Sequence, residues 1–312
     1  MPDTHDPKLA LAGLLIGILV GMTGMGGGSL MTPILILFFN FNPSIAVGTD
    51  ILHGAVFKSF GAVRHRRLGT VRLRLGAWMF VGSAPMSLAG VWTVGYLTDR
   101  YGEGVDSVQG KILACMLIVG GLAFLAKAVM HREGPKKELG HLSNRDRIVA
   151  VCIGAVGGFL VGLTSVGSGT LFGLALLIAF PLSAKIIVGT DIFHAAALLW
   201  VAGFGHLVAG NVDLTAIGWL LIGSIPGVLI GSQVSVGLPD RTLRFALATA
   251  LILSGIKLLD VPHANLIVVV ALITGLGSLA IWGIVRHFRN RARASYGVVP
   301  GRKDLLPEHD RP

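Results

Sequence analysis

Residues 47–53 read Val-Gly-Thr-Asp-Ile-Leu-His, and residues 188–194 read Val-Gly-Thr-Asp-Ile-Phe-His. The two segments differ at one position and start 141 residues apart. At this offset residues 13–95 match residues 154–236 without a gap, with 29 identities in 83 positions. Apolar composition alone would repeat Leu, Ile and Val, whereas here Asp, His and Thr recur as well. The chain therefore contains an internal duplication, and its architecture is best derived from that duplication.

The composition points to a lipid environment. Of the 312 residues 53% are hydrophobic, only 13% are charged and 44 are Gly, whereas about a quarter of the residues of a soluble domain are charged. Apolar stretches recur from residue 9 to residue 285. The sequence therefore predicts an all-α, polytopic integral membrane protein.

The basic residues indicate orientation rather than a nucleic-acid partner. The net charge is +10, but Lys and Arg form short clusters within 64–74, 132–147 and 286–311, each next to an apolar segment. Such clusters are typical of cytoplasmic loops. Cys115 and Cys152 lie in apolar segments without metal-type spacing, so we expect small buried hydrophobes, no metal and no cofactor.

The apolar segments divide into full crossings and broken hairpins. Segments 9–41 and 148–181 each contain two apolar runs of about 13 residues around a Gly-rich stretch. Each run would cover only about 20 Å, so both segments are predicted to be re-entrant helix-break-helix hairpins with breaks near 24–28 and 165–169. About seven full crossings are predicted, near 44–63, 75–97, 111–130, 186–205, 215–236, 243–259 and 265–285.

If both hairpins return to the side from which they enter, 21 of the 26 Lys and Arg residues lie on one side of the membrane. The positive-inside bias then places the N-terminus outside and the C-terminus in the cytoplasm, and the two repeats are inverted. The predicted organisation is an N-terminal repeat with hairpin 9–41 and three crossings, a basic cytoplasmic linker, a C-terminal repeat with hairpin 148–181 and four crossings, and a basic cytoplasmic tail. Their boundaries are 1–131, 132–147, 148–285 and 286–312.

The two Gly-rich breaks are the predicted substrate site. After each break a half-helix is expected to start at Ser29 or Thr170, and its free N–H groups and dipole would favour an anion. The alternative is that these glycines only allow close helix packing; their duplication at a broken helix favours the anion site. The predicted substrate-binding residues here are Thr23, Gly26, Gly27, Gly28, Ser29, Thr164, Gly167, Ser168, Gly169 and Thr170.

One face of the helix after each hairpin is polar. Thr49, Asp50 and His53 fall within a 100° arc, as do their counterparts. Ionisable groups at such depth are functional candidates, although for the Asp residues a bond that only pins two helices is nearly as well supported. Thr49, Thr190, His53 and His194 are therefore predicted to bind substrate, and Asp50, Asp191, His53 and His194 to couple protons.

Three further features have two interpretations each. Lys58, whose counterpart is Leu199, is a possible charge contact, but snorkelling toward the cytoplasm is the favoured interpretation. His65 and His206 are expected at loop ends, where gating and plain solvation are both open. Pro85 and Pro226 are predicted to kink their helices, and a hinge role is the other interpretation.

The arrangement G-x-T-x-x-G-x-G-[ST]-L, V-G-T-D-I-x-H, H-x-x-x-G and G-S-x-P, present twice, resembles the TauE/SafE (sulfite exporter) family of membrane transporters over roughly residues 9–260. The resemblance implies a transporter of the inner or plasma membrane rather than an enzyme. Its partners would be the lipid bilayer, protons and small sulfur-containing anions such as sulfite, thiosulfate or organosulfonates, moved outward.

Two rival functions are a passive anion channel and, less favoured, an intramembrane serine protease. The protease is suggested by Gly27-Gly28-Ser29 with a His on a neighbouring helix. Such an enzyme needs a single nucleophile and a single base, whereas here both elements are duplicated. No catalytic residue is therefore predicted.

Overall fold

A computed structural model describes residues 7–23, 28–101, 104–129, 142–167, 169, 171–234 and 240–259. Every regular element in these ranges is an α-helix, which confirms the predicted all-α class. The helices are α1 (Lys8–Thr23), α2 (Gly28–Phe39), α3 (Pro43–Arg67), α4 (Leu73–Tyr101), α5 (Gly104–Val129), α6 (Asn144–Thr164), α7 (Leu171–Ala179), α8 (Ala184–Val208), α9 (Leu214–Val234) and α10 (Asp240–Leu258).

The described helices have the length and surface of a polytopic membrane protein. Four of the described apolar stretches are long enough to cross a bilayer: Leu73–Leu97, Ser107–Ala126, Asn144–Thr164 and Lys185–Val208. Shorter apolar helices accompany them. Large apolar side chains lie on the outer surface of most helices, as lipid contact requires and water would not favour; among them are Phe38, Phe60, Trp92, Val156, Ile178 and Val208.

The predicted crossings coincide with α3, α4, α5, α8, α9 and α10 to within a few residues at most ends. Of these, α3 is 25 residues long, but its Arg-rich end and buried polar residues lower its mean hydropathy, and it is not among the four long apolar stretches. The predicted crossing 265–285, the tail and most of the basic linker lie outside the described residues. The number of spans therefore stays a prediction.

The second predicted hairpin segment is a broken helix. In the first, the described helices are α1 up to Thr23 and α2 from Gly28; Ser29, the expected start, already lies inside α2, and residues 24–27 lie outside the described residues. In the second, α6 ends at Thr164 and α7 begins at Leu171. The predicted site residues Gly26, Gly27, Ser168 and Thr170 lie outside the described residues.

The two arms of the second hairpin are unequal, which corrects the expectation of two runs of about 13 residues. Helix α6 has 21 residues and α7 has nine. A capping box extends α6 at its start: the Asp146 N–H donates to Ser143 Oγ, and Ser143 N–H donates to the Asp146 carboxylate. These reciprocal bonds satisfy the first N–H groups and carry the helix through the polar residues 144–147.

Left-handed backbone conformations end α6 and form the second break. Ser165 has φ 61°, and Gly167 and Gly169 have φ 138° and 97°. The Ser165 N–H donates to Val161 O at 2.8 Å, which closes the last turn of the helix. The chain leaves the helix axis here because these residues cannot continue an α-helix.

The main helix pairs form through glycine faces that recur at the 141-residue offset. Helix α1 packs against α9, and α6 packs against α4. A Cβ atom on Gly13 would fall on the backbone of Leu220, and one on Gly154 would fall on the backbone of Met79. Close approach without a side chain is typical of membrane helix pairs. The same relation holds for Gly17 with Ser224, and for Gly158 with Ser83.

Two further helix pairs complete the packing, α3 with α8 and α5 with α10. One apolar cluster is formed mainly by α1, α2, α5, α9 and α10, and a second by α3, α4, α6, α7 and α8. Cys115 and Cys152 belong to neither cluster and are exposed on the outer surface, so the expectation of buried thiols is wrong. Their helices fill the core from other faces, through Leu113 and Leu117 of α5 and Ala150 of α6.

Candidate functional site

Helices α3 and α8 carry a buried polar centre. Six described ionisable side chains of these helices are at most 4% exposed: His206 near the end of α8, and the five that form this centre, Asp50, His53, Lys58, Asp191 and His194. Because α3 packs against α8, groups from both repeats meet there. Buried charges need partners, so the contacts of each group decide what the centre can do.

Asp50 joins three elements. Thr32 Oγ1 on α2 and Ser165 Oγ at the second break both donate to Asp50 Oδ2, the latter at 2.8 Å. The second arm of one hairpin and the break of the other hairpin are thus held by a single carboxylate. Its other oxygen, Oδ1, has no hydrogen-bond partner within the described residues, so the carboxylate keeps one free acceptor.

Each histidine is held by a serine of the repeated Gly-Ser-x-Pro motif. His53 Nε2 lies 3.0 Å from Ser224 Oγ, and His194 Nε2 lies 2.8 Å from Ser83 Oγ. Both pairs are related by the 141-residue offset. A serine on another helix, rather than the Asp one turn earlier, therefore orients each ring.

Lys58 does not snorkel, which corrects the favoured interpretation. It is 3% exposed and interacts electrostatically with Asp191 and Asp50. Its charge also reaches His53 and His194. The ammonium group therefore belongs to the polar centre instead of the surface.

The polar centre borders a small cavity. Asp50, His53, Lys58 and Ser224 line it together with apolar residues of α1, α2 and α3. Its volume of about 10 Å³ is room for about one water molecule. An anion with a sulfur and three oxygens is larger than this volume.

The hydroxyls of Thr49 and Thr190 hold loops. Thr49 Oγ1 accepts from the Asp213 N–H and Thr190 Oγ1 from the Arg72 N–H, both at 3.0 Å. Both side chains are fully buried. Each therefore fixes the turn that follows the equivalent helix of the other repeat.

The two loop-end histidines differ. His206 is fully buried and its Nε2 donates to Gly162 O at 2.8 Å, near the end of α6. His65, beyond the predicted crossing 44–63, lies 2.9 Å from Thr70 Oγ1 and is partly exposed. Burial and the Arg64 and Lys185 cations lower the pKa of His65. His206 is therefore not a loop-end histidine that is simply exposed to water, which was one of its two interpretations.

Sequence reasoning missed the hydroxyl groups that complete this centre. Ser83 and Ser224 could have been found, because the Gly-Ser-x-Pro motif is duplicated with the His motif. Thr32 and Ser165 gave no such signal, since their counterparts are Gly173 and Gly24. Thr23, Gly28 and Ser29 lie beside the first break, and Thr164 is buried with its hydroxyl donating to Leu160 O.

The comparisons with known proteins identify the family of this chain. The family model described as Sulfite exporter TauE/SafE matches residues 9–258. The chain belongs to this family. The TauE/SafE model thus covers both predicted hairpin segments and the whole polar centre. No solved structure matches the chain with significance.

The relatives found for this TauE/SafE protein are named as transporters. "Probable membrane transporter protein YjnA" of Bacillus subtilis is 38% identical over 254 residues, which are 81% of this chain and 99% of that protein. "Probable membrane transporter protein YdhB" of the same organism is 25% identical, covering 80% and 99%. "Probable membrane transporter protein MJ0441" of Methanocaldococcus jannaschii is 22% identical, covering 81% and 95%. These names indicate membrane transport and specify no substrate.

Proposed function

We propose that this chain is a secondary transporter that exports small sulfur-containing anions such as sulfite, thiosulfate or organosulfonates. The family supports the class of anion, and the two predicted breaks together with the buried polar centre are the proposed place where it binds. The observation that carries the proposal is the double hydrogen bond to Asp50, in which Thr32 of α2 and Ser165 of the second break meet one carboxylate. This contact brings elements of both hairpins to the same buried point.

The proposed architecture is a pair of inverted repeats, residues 1–131 and 148–285, in the inner or plasma membrane with the N-terminus outside. Support comes from contacts that recur at the 141-residue offset: the His–Ser pairs, the Thr–loop bonds and the glycine faces of α1 and α6. The basic linker 132–147 and tail 286–312 would then be cytoplasmic. Alternating access would follow from exchange of conformation between the repeats.

The anion is proposed to bind near the midplane, between the N-terminal ends of α2 and α7. Gly28 starts α2, and Gly167 and Gly169 adopt left-handed conformations just before α7. The Leu171 and Phe172 N–H groups donate to Gly167 O, so the proposed attraction for the anion comes from the positive dipole end of each half-helix. The predicted substrate-binding set at both breaks, together with Thr49, Thr190, His53 and His194, is retained in this proposal, the two threonines as residues that position the site.

Proton coupling is proposed to use the polar centre. An anion that crosses a low-dielectric core needs its charge offset, and a proton gradient can drive that transfer. Asp50, Asp191, His53 and His194 are the proposed proton-coupling residues, and all four are buried on α3 and α8. A carrier of this kind differs from a passive anion channel in having saturable flux that depends on the pH gradient.

The test is uptake of labelled sulfite, thiosulfate and a short alkanesulfonate into proteoliposomes, with and without an imposed pH gradient. We expect saturable flux of at least one of these anions that increases when the gradient is imposed. Chloride and acetate serve as control anions. Flux that neither saturates nor responds to the gradient would favour the channel, and no flux above protein-free liposomes for any sulfur anion would refute the proposed substrate class.

A further inference from the structure

The hydroxyls of Thr32 and Ser165 share one partner, an oxygen of the Asp50 carboxylate. Thr32 Oγ1 and Ser165 Oγ both donate to Asp50 Oδ2, and the three side chains are at most 2% exposed. Bulk water does not compete for hydrogen bonds at such burial. The two bonds therefore tie α2 directly to the second break, and we call these three side chains the Asp50 tie.

The Asp50 tie is specific to one repeat. At the 141-residue offset Thr32 corresponds to Gly173, and Ser165 corresponds to Gly24. Glycine has no side-chain hydroxyl, so the tie cannot form in the same way in the other repeat. Ser165 moreover stands at a φ of 61°, where glycine is favoured. A serine at this position indicates a role for its hydroxyl.

The two oxygens of the Asp50 carboxylate have different surroundings. Oδ2 accepts both hydroxyls, whereas Oδ1 is buried and has no hydrogen-bond partner within the described residues. Asp50 also lines the cavity of about 10 Å³, which has room for about one water molecule, the usual carrier of a proton. Oδ1 is thus the oxygen that can bind a proton without loss of either hydroxyl bond.

A proton on Oδ1 weakens the Asp50 tie without breaking it. While Asp50 is ionised, both hydroxyl bonds are charge-assisted; when Asp50 is neutral, Oδ2 is an ordinary carbonyl oxygen. Hydrogen bonds to an ionised group are roughly twice as strong as neutral ones. With two such bonds, protonation should shift the balance from the tied state toward a state in which α2 and the second break separate by at least about fivefold.

We propose that Thr32 and Ser165 are positioning residues of proton coupling, and that ionised Asp50 holds α2 and the second break together until Oδ1 binds a proton. This inference deepens the proposed function and rests on it where anion transport is concerned. The proposed anion site lies between the N-terminal ends of α2 and α7, so release of the Asp50 tie frees the elements that flank this site. Proton binding thereby permits the change of conformation that transport requires.

Other titratable side chains are buried near the Asp50 tie. Helix α3 packs against α2, α5, α8 and α9. Besides Asp50, the buried titratable side chains described on these five helices are His53 and Lys58 on α3, and Asp191, His194 and His206 on α8. Lys58 interacts electrostatically with Asp50, but it lies on the same helix and joins no second element to it. Because histidines titrate near neutrality, an Asp50 variant is needed to separate their effect from that of the tie.

The first measurement needs no anion. It is backbone hydrogen exchange of the full chain in detergent at pH 5.5 and pH 8, corrected for the intrinsic effect of pH on exchange. The reporter amides are those of Ser165, Leu171 and Phe172, which are hydrogen-bonded at the second break. Their exchange rate reports how often this break opens.

The variants change one part of the tie at a time. Asp50→Asn imitates the neutral carboxyl group, Thr32→Val removes the hydroxyl at similar shape, and Thr32→Ser keeps the hydroxyl. Thr93→Val is the matched control, because the Thr93 hydroxyl donates to Ala89 O of its own helix. Thermal unfolding in detergent shows which variants are folded.

In the wild type and in Thr93→Val, the reporter amides should exchange at least about fivefold faster at pH 5.5 than at pH 8, because the neutral tie is weaker. Asp50→Asn should exchange fast at both pH values. Thr32→Val should exchange faster than the wild type at pH 8 and lower the ratio of the two rates by about twofold or more, since one of two bonds is lost. Thr32→Ser should resemble the wild type.

The second measurement is flux of methanesulfonate in proteoliposomes at the same two pH values. Methanesulfonate is a monoanion at both, so a change in flux reflects the protein. Wild-type flux should be higher at pH 5.5, Thr32→Val should lower the ratio of the two fluxes by about twofold or more, and Thr32→Ser should restore it. A variant that only damages the fold would lower flux at both pH values and leave their ratio unchanged, which would overturn the positioning role.

Equal exchange at both pH values in the wild type would overturn the proton-sensitive tie, and so would a pH dependence that persists in Asp50→Asn, which would assign it to a histidine. A wild-type ratio of exchange rates in folded Thr32→Val would overturn the role of Thr32. If Asp50→Asn does not fold, the comparison of Thr32→Val with Thr32→Ser decides alone. Exchange that behaves as expected, without flux of methanesulfonate, sulfite or thiosulfate, would support the tie and refute the proposed function.

Discussion

Ser165 occupies a backbone conformation that favours glycine, and its counterpart in the other repeat is Gly24. A left-handed conformation costs a non-glycine residue about 1 kcal/mol. The serine hydroxyl donates to Asp50 at 2.8 Å, and a hydrogen bond to a charged group contributes about 1.5–3 kcal/mol. The side chain therefore stabilises the break in spite of its strained backbone.

Two substitutions separate these contributions. Ser165→Ala keeps the strain and loses the bond to Asp50, whereas Ser165→Gly loses both. We expect Ser165→Gly to be more stable than Ser165→Ala by about 1 kcal/mol, measured as the difference in thermal or denaturant unfolding in detergent. Equal stability of the two variants would show that the left-handed backbone at Ser165 carries no cost.

The histidines and their serine partners allow a second prediction at this scale. His53→Ala and His194→Ala should lower transport and flatten its pH dependence near neutrality, because an imidazole can carry a proton in that range. Ser224→Ala is the matched variant: it removes the partner that lies 3.0 Å from His53 Nε2 but leaves the ring. The measurement is anion flux between pH 5.5 and pH 8.

If His53 takes part in proton transfer, Ser224→Ala should retain the pH dependence at a reduced rate. If His53 only ties α3 to α9, Ser224→Ala and His53→Ala should behave alike, with less folded protein and a normal pH profile. If both histidine variants keep the wild-type rate and pH response, proton coupling must use the Asp residues instead of the histidines.

At the scale of helices, a substitution at the N-terminal end of α2 or α7 can test whether the glycines there form a ligand site or only allow close helix packing. Gly28→Val should weaken anion binding while the protein stays folded, because a branched side chain at the first residue of α2 would block approach to the backbone N–H groups. The measurement is a thermal-shift titration with sulfite or an alkanesulfonate. An unchanged apparent affinity would leave Gly28 only a packing role. Gly169 is less suitable because its φ of 97° strains any side chain.

The glycine faces of α1, α4, α6 and α9 give a prediction about stability. A Cβ on Gly223 would fall on the backbone of Ala10, and a Cβ on Gly82 would fall on that of Val151, whereas Gly218 of α9 has open space around it. Gly223→Ala and Gly82→Ala should therefore destabilise the protein by about 1–3 kcal/mol, as overpacking does. Gly218→Ala should change stability by less than about 0.5 kcal/mol. The measurement is unfolding in detergent, and equal effects at Gly223 and Gly218 would contradict close helix contact.

The sequence was sufficient for the helices and the second break but not for the contacts between helices. Two runs of apolar residues around glycines predicted this break, because helix ends depend on local residues. The capping box at Ser143 is also local, yet it was missed, so the arms of the second hairpin were expected to be equal. The contact between Ser165 and Asp50 joins residues 115 positions apart, and no local pattern records it.

At the scale of the whole molecule, the two repeats are alike in their helices and different in their histidine contacts. His206 is fully buried and donates to Gly162 O, whereas His65 is partly exposed and lies against Thr70. Gly21 is the counterpart of Gly162. If transport exchanges the conformations of the repeats, His65 should bond to Gly21 O in the opposite-facing state and His206 should lose its bond to Gly162.

This exchange predicts opposite effects for two matched variants. His206→Ala removes a contact of the described state, and His65→Ala removes the equivalent contact of the other state. A buried hydrogen bond contributes roughly 1–1.5 kcal/mol, so each variant should shift the balance of the two states by about tenfold. The ratio of the anion's apparent affinities from the two sides, measured in right-side-out and inside-out vesicles, should therefore rise in one variant and fall in the other. If both variants shift this ratio of affinities in the same direction, the two histidine contacts do not belong to opposite states, and both histidines stabilise the fold in both states. Loss of a contact that forms in only one state moves the balance toward the other state.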